Sequence, residues 1–225
     1  GAMAVSGPAG SHAQSAPYRI GHDDPFAPFA FTENGRSKGL LIDIVAAVLG
    51  EAGAAFEFRP LPLAAIEAEL AAGNIDAIAF KGVSDERRRT MDFSAPLLIT
   101  GAAAFARPGL PAAADLAVYA GTTIVTPAQG PLAAQIRRDY PQLRLLTVDS
   151  YDASLEAVLA GQADVAALNF QAGLQLINRK HPGRFTLPAE PYQRLPFAFA
   201  VAKGRNAPLL ARVDAAIAAL RADGR

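Results

Sequence analysis

Two stretches of the chain share one pattern of apolar and polar positions. Ile66–Ala79 reads IEAELAAGNIDAIA, and Ser154–Ala167 reads SLEAVLAGQADVAA. Each is an Ala/Leu-rich helical run, then Gly, two residues, Asp, and a short apolar run. Gly73 and Gly161 fit the position just past a helix, where a left-handed backbone ends it at low cost. The uninterrupted apolar run after Asp76 or Asp164 suits a strand buried on both faces, as parallel sheets require. The two glycines lie 88 positions apart, so the pattern predicts two α/β lobes of similar design with a cleft between them.

The rest of the periodicity extends this plan. Strands are predicted at Tyr18–Gly21, Phe56–Arg59 and Ile75–Phe80, with helices at Gly39–Leu49 and Leu63–Ala72. Two prolines make Asp23–Phe29 a loop. Ser84 reads as the N-cap of a short helix, with Asp85 and Glu86 suited to its first turn. Leu97–Ala106 is extended, and the Pro/Gly/Ala-rich stretch Arg107–Ala114 breaks the composition. Alternation then restarts, with strands at Thr122–Thr126, Leu143–Val148, Ala163–Leu168 and Phe197–Ala202. Helices are predicted at Leu132–Asp139, Tyr151–Ala160, Phe170–Lys180 and Pro208–Arg221. Strands and helices in alternation with short connections argue for parallel sheets.

Composition narrows the function classes. The chain has 225 residues, 51% of them hydrophobic, enough for one large domain or two lobes of about 100 residues. Net charge is zero, and the run Arg87-Arg88-Arg89 is offset by Asp85, Glu86 and Asp92. Nothing favours nucleic acid, whose binders show a basic field. The absence of cysteine removes disulfides, thiolate metal sites and Cys nucleophiles. No stretch reaches the ~18 apolar residues of a membrane span. Gly1-Ala2-Met3 reads as a cloning remnant. Ala4–Ala16 reads as a linker or as the mature end left after removal of a signal peptide, and residues 1–17 are set aside from the fold.

In open parallel sheets, ligands bind beyond the carboxyl ends of strands. That rule selects Asp23–Phe29, Phe80–Arg88, Thr126–Gly130 and Asn169. Arg88 is the leading candidate: in the first turn of a short helix after a buried strand, a guanidinium can grip a carboxylate bidentately. The alternative is a surface arginine paired with Asp85 or Glu86, and Arg87 and Arg89 read as surface residues. Phe26, Phe29, Phe31 and Phe80 either wall a pocket or belong to the core. Lys81 is either a cleft cation or a solvated side chain. His12, His22 and His181 are scattered without metal-ligand spacing, and His22-Asp23-Asp24 reads as a polar loop. There is no G-x-S-x-G, P-loop or G-x-G-x-x-G, and no metal or cofactor is expected.

Taken in order and spacing, these residues resemble the periplasmic solute-binding proteins of amino-acid ABC transporters, the type-3 extracellular family. The marks are Arg19-Ile20-Gly21 with Ala27-Pro28-Phe29, Gly39-x-x-x-Asp43-Ile44, and Leu70-x-x-Gly73-x-x-Asp76-Ala77. Glu86-x-Arg88, Asp92-Phe93-Ser94-x-Pro96 and the second copy at Leu159–Asp164 complete them. The resemblance spans Tyr18–Gly224. It implies a two-lobed α/β Venus flytrap of type II, with a parallel-rich sheet in each lobe and a two-strand hinge. Lobe 1 would comprise residues 18–106 and 196–225, and lobe 2 residues 107–195. Closure would bury the ligand between them.

The resemblance also implies roles. Arg88 would bind a ligand carboxylate, and Thr126–Gly130, with Gln129, would add hydroxyl and backbone donors. Phe26 would stack on the ligand, beside Phe80, and Asp23 would meet a cationic side chain. The family's ammonium-binding Asp and Ser/Thr correspond to Asn169 and Val83, and Lys81 replaces a small polar residue. The cleft is thus expected to keep its carboxylate grip, lose its ammonium anchors and gain a cation. A carboxylate without a free ammonium, or a dicarboxylate reaching Lys81, fits such a cleft.

The implied protein is a periplasmic monomer, not an enzyme, that delivers a small carboxylate to an inner-membrane ABC permease. One alternative is the sensing domain of a membrane kinase or cyclase, with which a chain ending soon after its last helix is compatible. Another is an enzyme similar to cyclohexadienyl dehydratases, which Thr123-Ile124-Val125-x-Pro127 resembles. Such an enzyme needs a carboxylic acid in the cleft, and Leu168–Ala172 offers only Asn169 and Gln171. A flytrap whose cleft binds no ligand and which instead docks a partner protein is the remaining reading.

Overall fold

The computed structural model describes residues 15–224. The N-terminal remnant and linker expected over residues 1–17 lie, up to residue 14, outside the described residues. Among those described, one eight-stranded sheet runs through the molecule in the order β4-β1-β5-β10-β6-β9-β7-β8. Its strands are β1 (Tyr18–Asp23), β4 (Phe56–Leu61), β5 (Ala77–Gly82), β6 (Met91–Ala106), β7 (Thr123–Pro127), β8 (Arg144–Val148), β9 (Val165–Asn169) and β10 (Gln193–Ala202). A separate hairpin, β2 (Phe31–Glu33) and β3 (Arg36–Lys38), was not legible from periodicity, being too short to alternate.

The sheet has internal symmetry. β4, β1 and β5 are parallel neighbours, and so are β8, β7 and β9. Between these two trios stand β10 and β6, antiparallel to each other and each antiparallel to the trio it borders. Each lobe therefore places its second strand outside its first and its third inside. Both trios direct their carboxyl ends toward the interlobe cleft.

β6 is the longest strand, and its ends serve different lobes. Met91–Phe93 pair with the end of β10, whereas Ala102–Ala106 pair with β9. The sequence reading assigned all residues up to Ala106 to the first lobe. Ala102–Ala106 instead join the second-lobe sheet, because hydrogen-bond partners rather than chain order assign a strand. In β6, Ala103 and Phe105 point into one apolar cluster, and Ala104 and Ala106 into another.

The same alternation fills both lobes. In the first, Ala77, Ala79, Phe197, Phe199 and Val201 face α1 (Leu40–Glu51) and α6 (Ala207–Ala222). Ile78, Ala200 and Ala202 face Ile66 and Leu70 of α2 (Ile66–Ala72). In the second, Ala166 and Leu168 face α4 (Tyr151–Leu159) and α5 (Phe170–Lys180). Val165 and Ala167 face Ile136 of α3 (Leu132–Asp139), and Leu116 and Tyr119 of the 3-10 turn Leu116–Tyr119. Side chains alternate across a strand, so the apolar runs bury both faces as the sequence implied.

The repeated motif has a structural cause. Gly73 and Gly161 both adopt φ of 77° beyond α2 and α4. Asp76 then accepts from the Arg19 backbone N–H (2.8 Å) and from its guanidinium (3.2 and 3.0 Å). Asp164 accepts from the Thr123 N–H (2.9 Å) and from Arg107 Nε (2.9 Å). In both lobes the Asp ahead of the inner strand anchors the beginning of the lobe's first strand.

Candidate functional site

The interlobe cleft holds a cavity of about 420 Å³ lined by both lobes. Its first-lobe wall comes from the ends of β1 and β5 and from the loop after β1: Asp23, Pro25, Phe26, Ala27, Phe80, Lys81 and Gly82. Arg87 lines it too, whereas Arg88 does not. The second-lobe wall comes from the ends of β7, β8 and β9. Thr126–Pro127 end β7 and Gln129–Leu132 follow it, Asp149–Asp152 follow β8, and Asn169 ends β9. Gln175, Leu176 and Arg179 of α5 complete it. The rule that ligands sit beyond strand carboxyl ends holds in both lobes.

Arg88 is the main correction. The segment after β5 is a single 3-10 turn, Arg87–Arg89, in which successive side chains are about 120° apart. Three consecutive arginines therefore project in three directions. Arg88 is exposed, with its guanidinium carbon 5.9 Å from the centroid of the Phe93 ring. Arg87 faces the cleft. Its backbone N–H is capped by Ser84 Oγ at 3.1 Å, its Nη1 donates to the Gly82 carbonyl at 3.0 Å, and its Nε to Glu67 Oε1 at 2.9 Å. Its Nη2 donates to no described residue. The anchored guanidinium thus keeps a donor edge for an anion.

Val83 is likewise displaced. It does not line the cavity, and its N–H donates to the Pro196 carbonyl at 3.0 Å. Gly82 takes the cleft position, and it brings no side-chain acceptor for an ammonium.

Lys81 and Asp23 both reach the cleft wall, but they bind each other. Lys81 Nζ lies 3.1 Å from each Asp23 oxygen, with the side chains 4% and 7% exposed. β1 and β5 are parallel neighbours, so the ends of the two strands lie side by side. Burial forces the pairing, since either charge alone would be costly there. Burial pushes the Asp23 carboxyl above the usual carboxylate range against the pull of Lys81. It holds the Lys81 amine below its usual range against the pull of Asp23. The free cation expected for a second ligand carboxylate is therefore neutralised within the wall.

Thr126 and Asn169 are in place and already engaged. Thr126 Oγ1 donates to the Ala167 carbonyl at 2.8 Å, tying β7 to β9. Asn169 Oδ1 accepts from the Ala172 N–H at 3.0 Å as the N-cap of α5, and its Nδ2 donates to Thr100 Oγ1 at 3.0 Å. Thr100 Oγ1 in turn donates to Gln171 Oε1. Gln129 is exposed on the cavity edge. The N–H groups of Gln129 and Gly130 donate to no described residue, and α3 begins beyond them without a side-chain cap. The donors that this loop offers are backbone groups rather than a hydroxyl.

The aromatic candidates divide. Phe26 and Phe80 line the cavity, together with Phe197. Phe29 is fully buried behind them, with ring centroids 5.2 Å from both Phe26 and Phe197. Phe31 begins the hairpin strand β2. Across the cleft, Tyr151 and Ala172 pack against this first-lobe cluster, so the lobes are in apolar contact. Tyr151 was not selected from sequence. Its hydroxyl accepts from the Asn169 N–H at 3.1 Å, and burial pushes its pKa up to about 12. Asp149, just after a predicted strand, could have been found by the same strand-end rule. Gln175 in the middle of α5 and Arg179 in its last turn carried no local signal.

His22, Asp23 and Asp24 diverge. His22 bonds the Asp23 carbonyl and Ser37 Oγ, and Asp24 accepts from Thr32. Among the described residues no group of three His, Asp or Glu side chains is arranged to hold a metal ion.

Comparison with known proteins bears on this cleft. The family model for bacterial extracellular solute-binding proteins, family 3, matches residues 18–225. The chain is 24% identical over 202 residues to the probable amino-acid-binding protein YxeM of Bacillus subtilis (strain 168), covering 88% of this chain and 76% of that protein. It is 24% identical over 211 residues to the L-cystine-binding protein TcyJ of Escherichia coli (strain K12), covering 91% and 77%. A solved histidine kinase sensor domain with similarity to periplasmic binding proteins superposes with a TM-score of 0.80 at 26% identity, covering 92% of this chain and 91% of that one. The fold is the two-lobed α/β fold of the periplasmic binding proteins.

Proposed function

This chain belongs to the bacterial extracellular solute-binding proteins, family 3, and on that premise we propose that it captures a small carboxylate with an apolar body between its lobes. The observation that carries this reading is Arg87. It stands on the cleft wall with a free Nη2 edge, opposite a loop of unbonded backbone N–H groups and beside Phe26, Phe80 and Phe197. A guanidinium with backbone donors recognises a carboxylate, and the aromatic wall receives the remainder of the ligand. Asn169 has both ends of its carboxamide engaged, so the cleft favours a carboxylate that brings no ammonium to that position.

In this reading the protein works outside the cytoplasm, in the periplasm, as a monomer that passes its ligand to an inner-membrane ABC permease. Among the described residues, no helix is long and apolar enough to cross a membrane. The binding reading is preferred to an enzymatic one because the matching family model is one of solute-binding proteins, and because Leu168–Ala172, where the dehydratase reading looks for an acid, presents carboxamides, both hydrogen-bonded.

The test is thermal unfolding against aliphatic and aromatic carboxylates, keto acids and amino acids. A ligand at about 100 times its dissociation constant adds roughly 2.7 kcal/mol, a shift of several degrees. The shift should vanish in Arg87→Ala and persist in Arg88→Ala. Equal loss in both variants, or in neither, would sink the assignment.

The likeness to a histidine kinase sensor domain favours a second reading of the output, ligand sensing instead of transport. Deleting the gene separates the two. Uptake of labelled ligand is lost if the protein feeds a permease. If it reports to a kinase or cyclase, uptake persists and the downstream response is lost.

A further inference from the structure

The Lys81–Asp23 pair has no counterpart elsewhere in the described molecule. Every other ion pair there has both side chains at least 21% exposed, against 4% and 7% for this one. A buried ion pair adds little to stability, because removing both charges from water costs about as much as their attraction returns. Its position is more telling than its energy, since both residues line the ligand cavity.

Asp23 lines the same cavity as Phe26 and Phe80. Both of its oxygens accept from Lys81 Nζ at 3.1 Å, and no other described group donates to them. A carboxylate so placed would receive the ammonium or guanidinium end of a ligand. The protein supplies such a cation itself, on a four-carbon stem from the neighbouring strand. Arg87 adds a second positive charge within electrostatic reach of the pair.

We infer that Lys81 is a tethered cation that fills the Asp23 subsite, so that the cleft turns away ligands with a cationic end and admits those with uncharged or anionic bodies. The inference rests on reading the cleft as a ligand site. It names Lys81 as the residue that sets the charge class of the ligand. Removing its ammonium while keeping its volume leaves Asp23 open to an incoming cation.

The experiment compares wild type, Lys81→Met and the double variant Lys81→Met/Asp23→Leu. The probe is n-butylammonium, followed by calorimetry or thermal unfolding, with L-lysine and L-arginine as larger cations. Wild type and the double variant should bind n-butylammonium equally weakly. Lys81→Met should bind n-butylammonium at least about tenfold more tightly than wild type, the scale of one charge-assisted hydrogen bond. Should Lys81→Met fold only when refolded with n-butylammonium, while the double variant folds unaided, the inference also stands. Cation binding by wild type as tight as by Lys81→Met overturns it, as does Lys81→Met that neither binds nor is rescued. Because n-butylammonium has no carboxylate, its result does not rest on a carboxylate grip by Arg87, whose charge acts equally on all three proteins. Failure of the carboxylate reading would show instead as a wild type indifferent to every acid.

Discussion

In the first lobe, Asp76 takes three donors from Arg19, the residue that opens the adjacent stretch of β1. In the second, Asp164 takes one donor from Thr123 at the beginning of β7 and one from Arg107, which follows β6. Helix, left-handed glycine, aspartate and buried strand follow one another identically up to that point. Beyond the strand the lobes part. β5 runs on through Lys81 and Gly82 into a turn that presents Arg87 to the cleft. β9 passes at once into α5, with Asn169 capping the helix and bonded to Thr100. The amino ends of the two inner strands do the same structural work, while the carboxyl ends carry different chemistry. A frame can be duplicated and its ligand-facing rim changed, because the anchoring groups lie at the opposite end of the strand from the ligand.

Replacing the rim residues one lobe at a time gives the largest expected contrast. Arg87→Ala should weaken carboxylate binding by about 2–5 kcal/mol, thirtyfold or more, with little change in stability. Asn169→Ala should do the reverse. Losing the cap of α5 should cost about 1 kcal/mol of stability, with affinity changed only a few-fold. If titration calorimetry and urea unfolding show both variants losing affinity alike, the rims are not functionally different.

The anchors come next. Asp76→Ala and Asp164→Ala should each destabilise by about 1–3 kcal/mol, because each leaves strand and arginine donors without their acceptor. Asp76 should cost more, having three donors against two. Their side chains are 24% and 29% exposed, too similar to reverse that order. Urea denaturation midpoints at constant slope would rank them.

Both carboxyls are held below the usual range. For Asp76 the Arg19 side-chain hydrogen bond leads, and for Asp164 the Thr123 N–H followed by Arg107. Their folded values lie below their unfolded ones, so their contribution is complete above the unfolded value of about 3.9. It is lost as pH falls through the depressed folded values. Stability measured downward from pH 5 should therefore decline less steeply in Asp76→Asn and Asp164→Asn than in wild type. An unchanged acid limb in both variants would remove these residues from the account.

The smallest and most symmetric effect belongs to the helix-ending glycines. Gly73→Ala and Gly161→Ala each force a side chain to φ of 77° and should cost about 1 kcal/mol apiece. Midpoints differing by much more than that would mean the two helix ends are not equivalent.

Much of the frame was legible in the chain. The repeated Gly-x-x-Asp units, the strands buried on both faces and the helices α3 and α5 to the residue follow from local preferences: apolar period, left-handed glycine and polar caps. Of the cleft, Asp23, Phe26, Phe80, Lys81, Thr126, Gln129 and Asn169 could be selected because they follow strands. From sequence Arg87 reads as a surface residue and Arg88 as the cleft one, and the structure reverses them, since three identical side chains differ only in the direction a tight turn gives them. Nor could Tyr151 and Arg179 be found, because their place depends on how the second lobe lies against the first.

What the sequence determined by itself was therefore the kind of element at each position and the doubling of the unit, both properties of neighbours along the chain. The tertiary structure decided that β6 divides itself between lobes, that Arg87 turns inward while Arg88 stays outside, and that Lys81 meets Asp23. The second depends on how a tight turn leaves β5, the first and last on distances between strands far apart in sequence. Over such distances, burial and charge select a partner that the order of residues does not name.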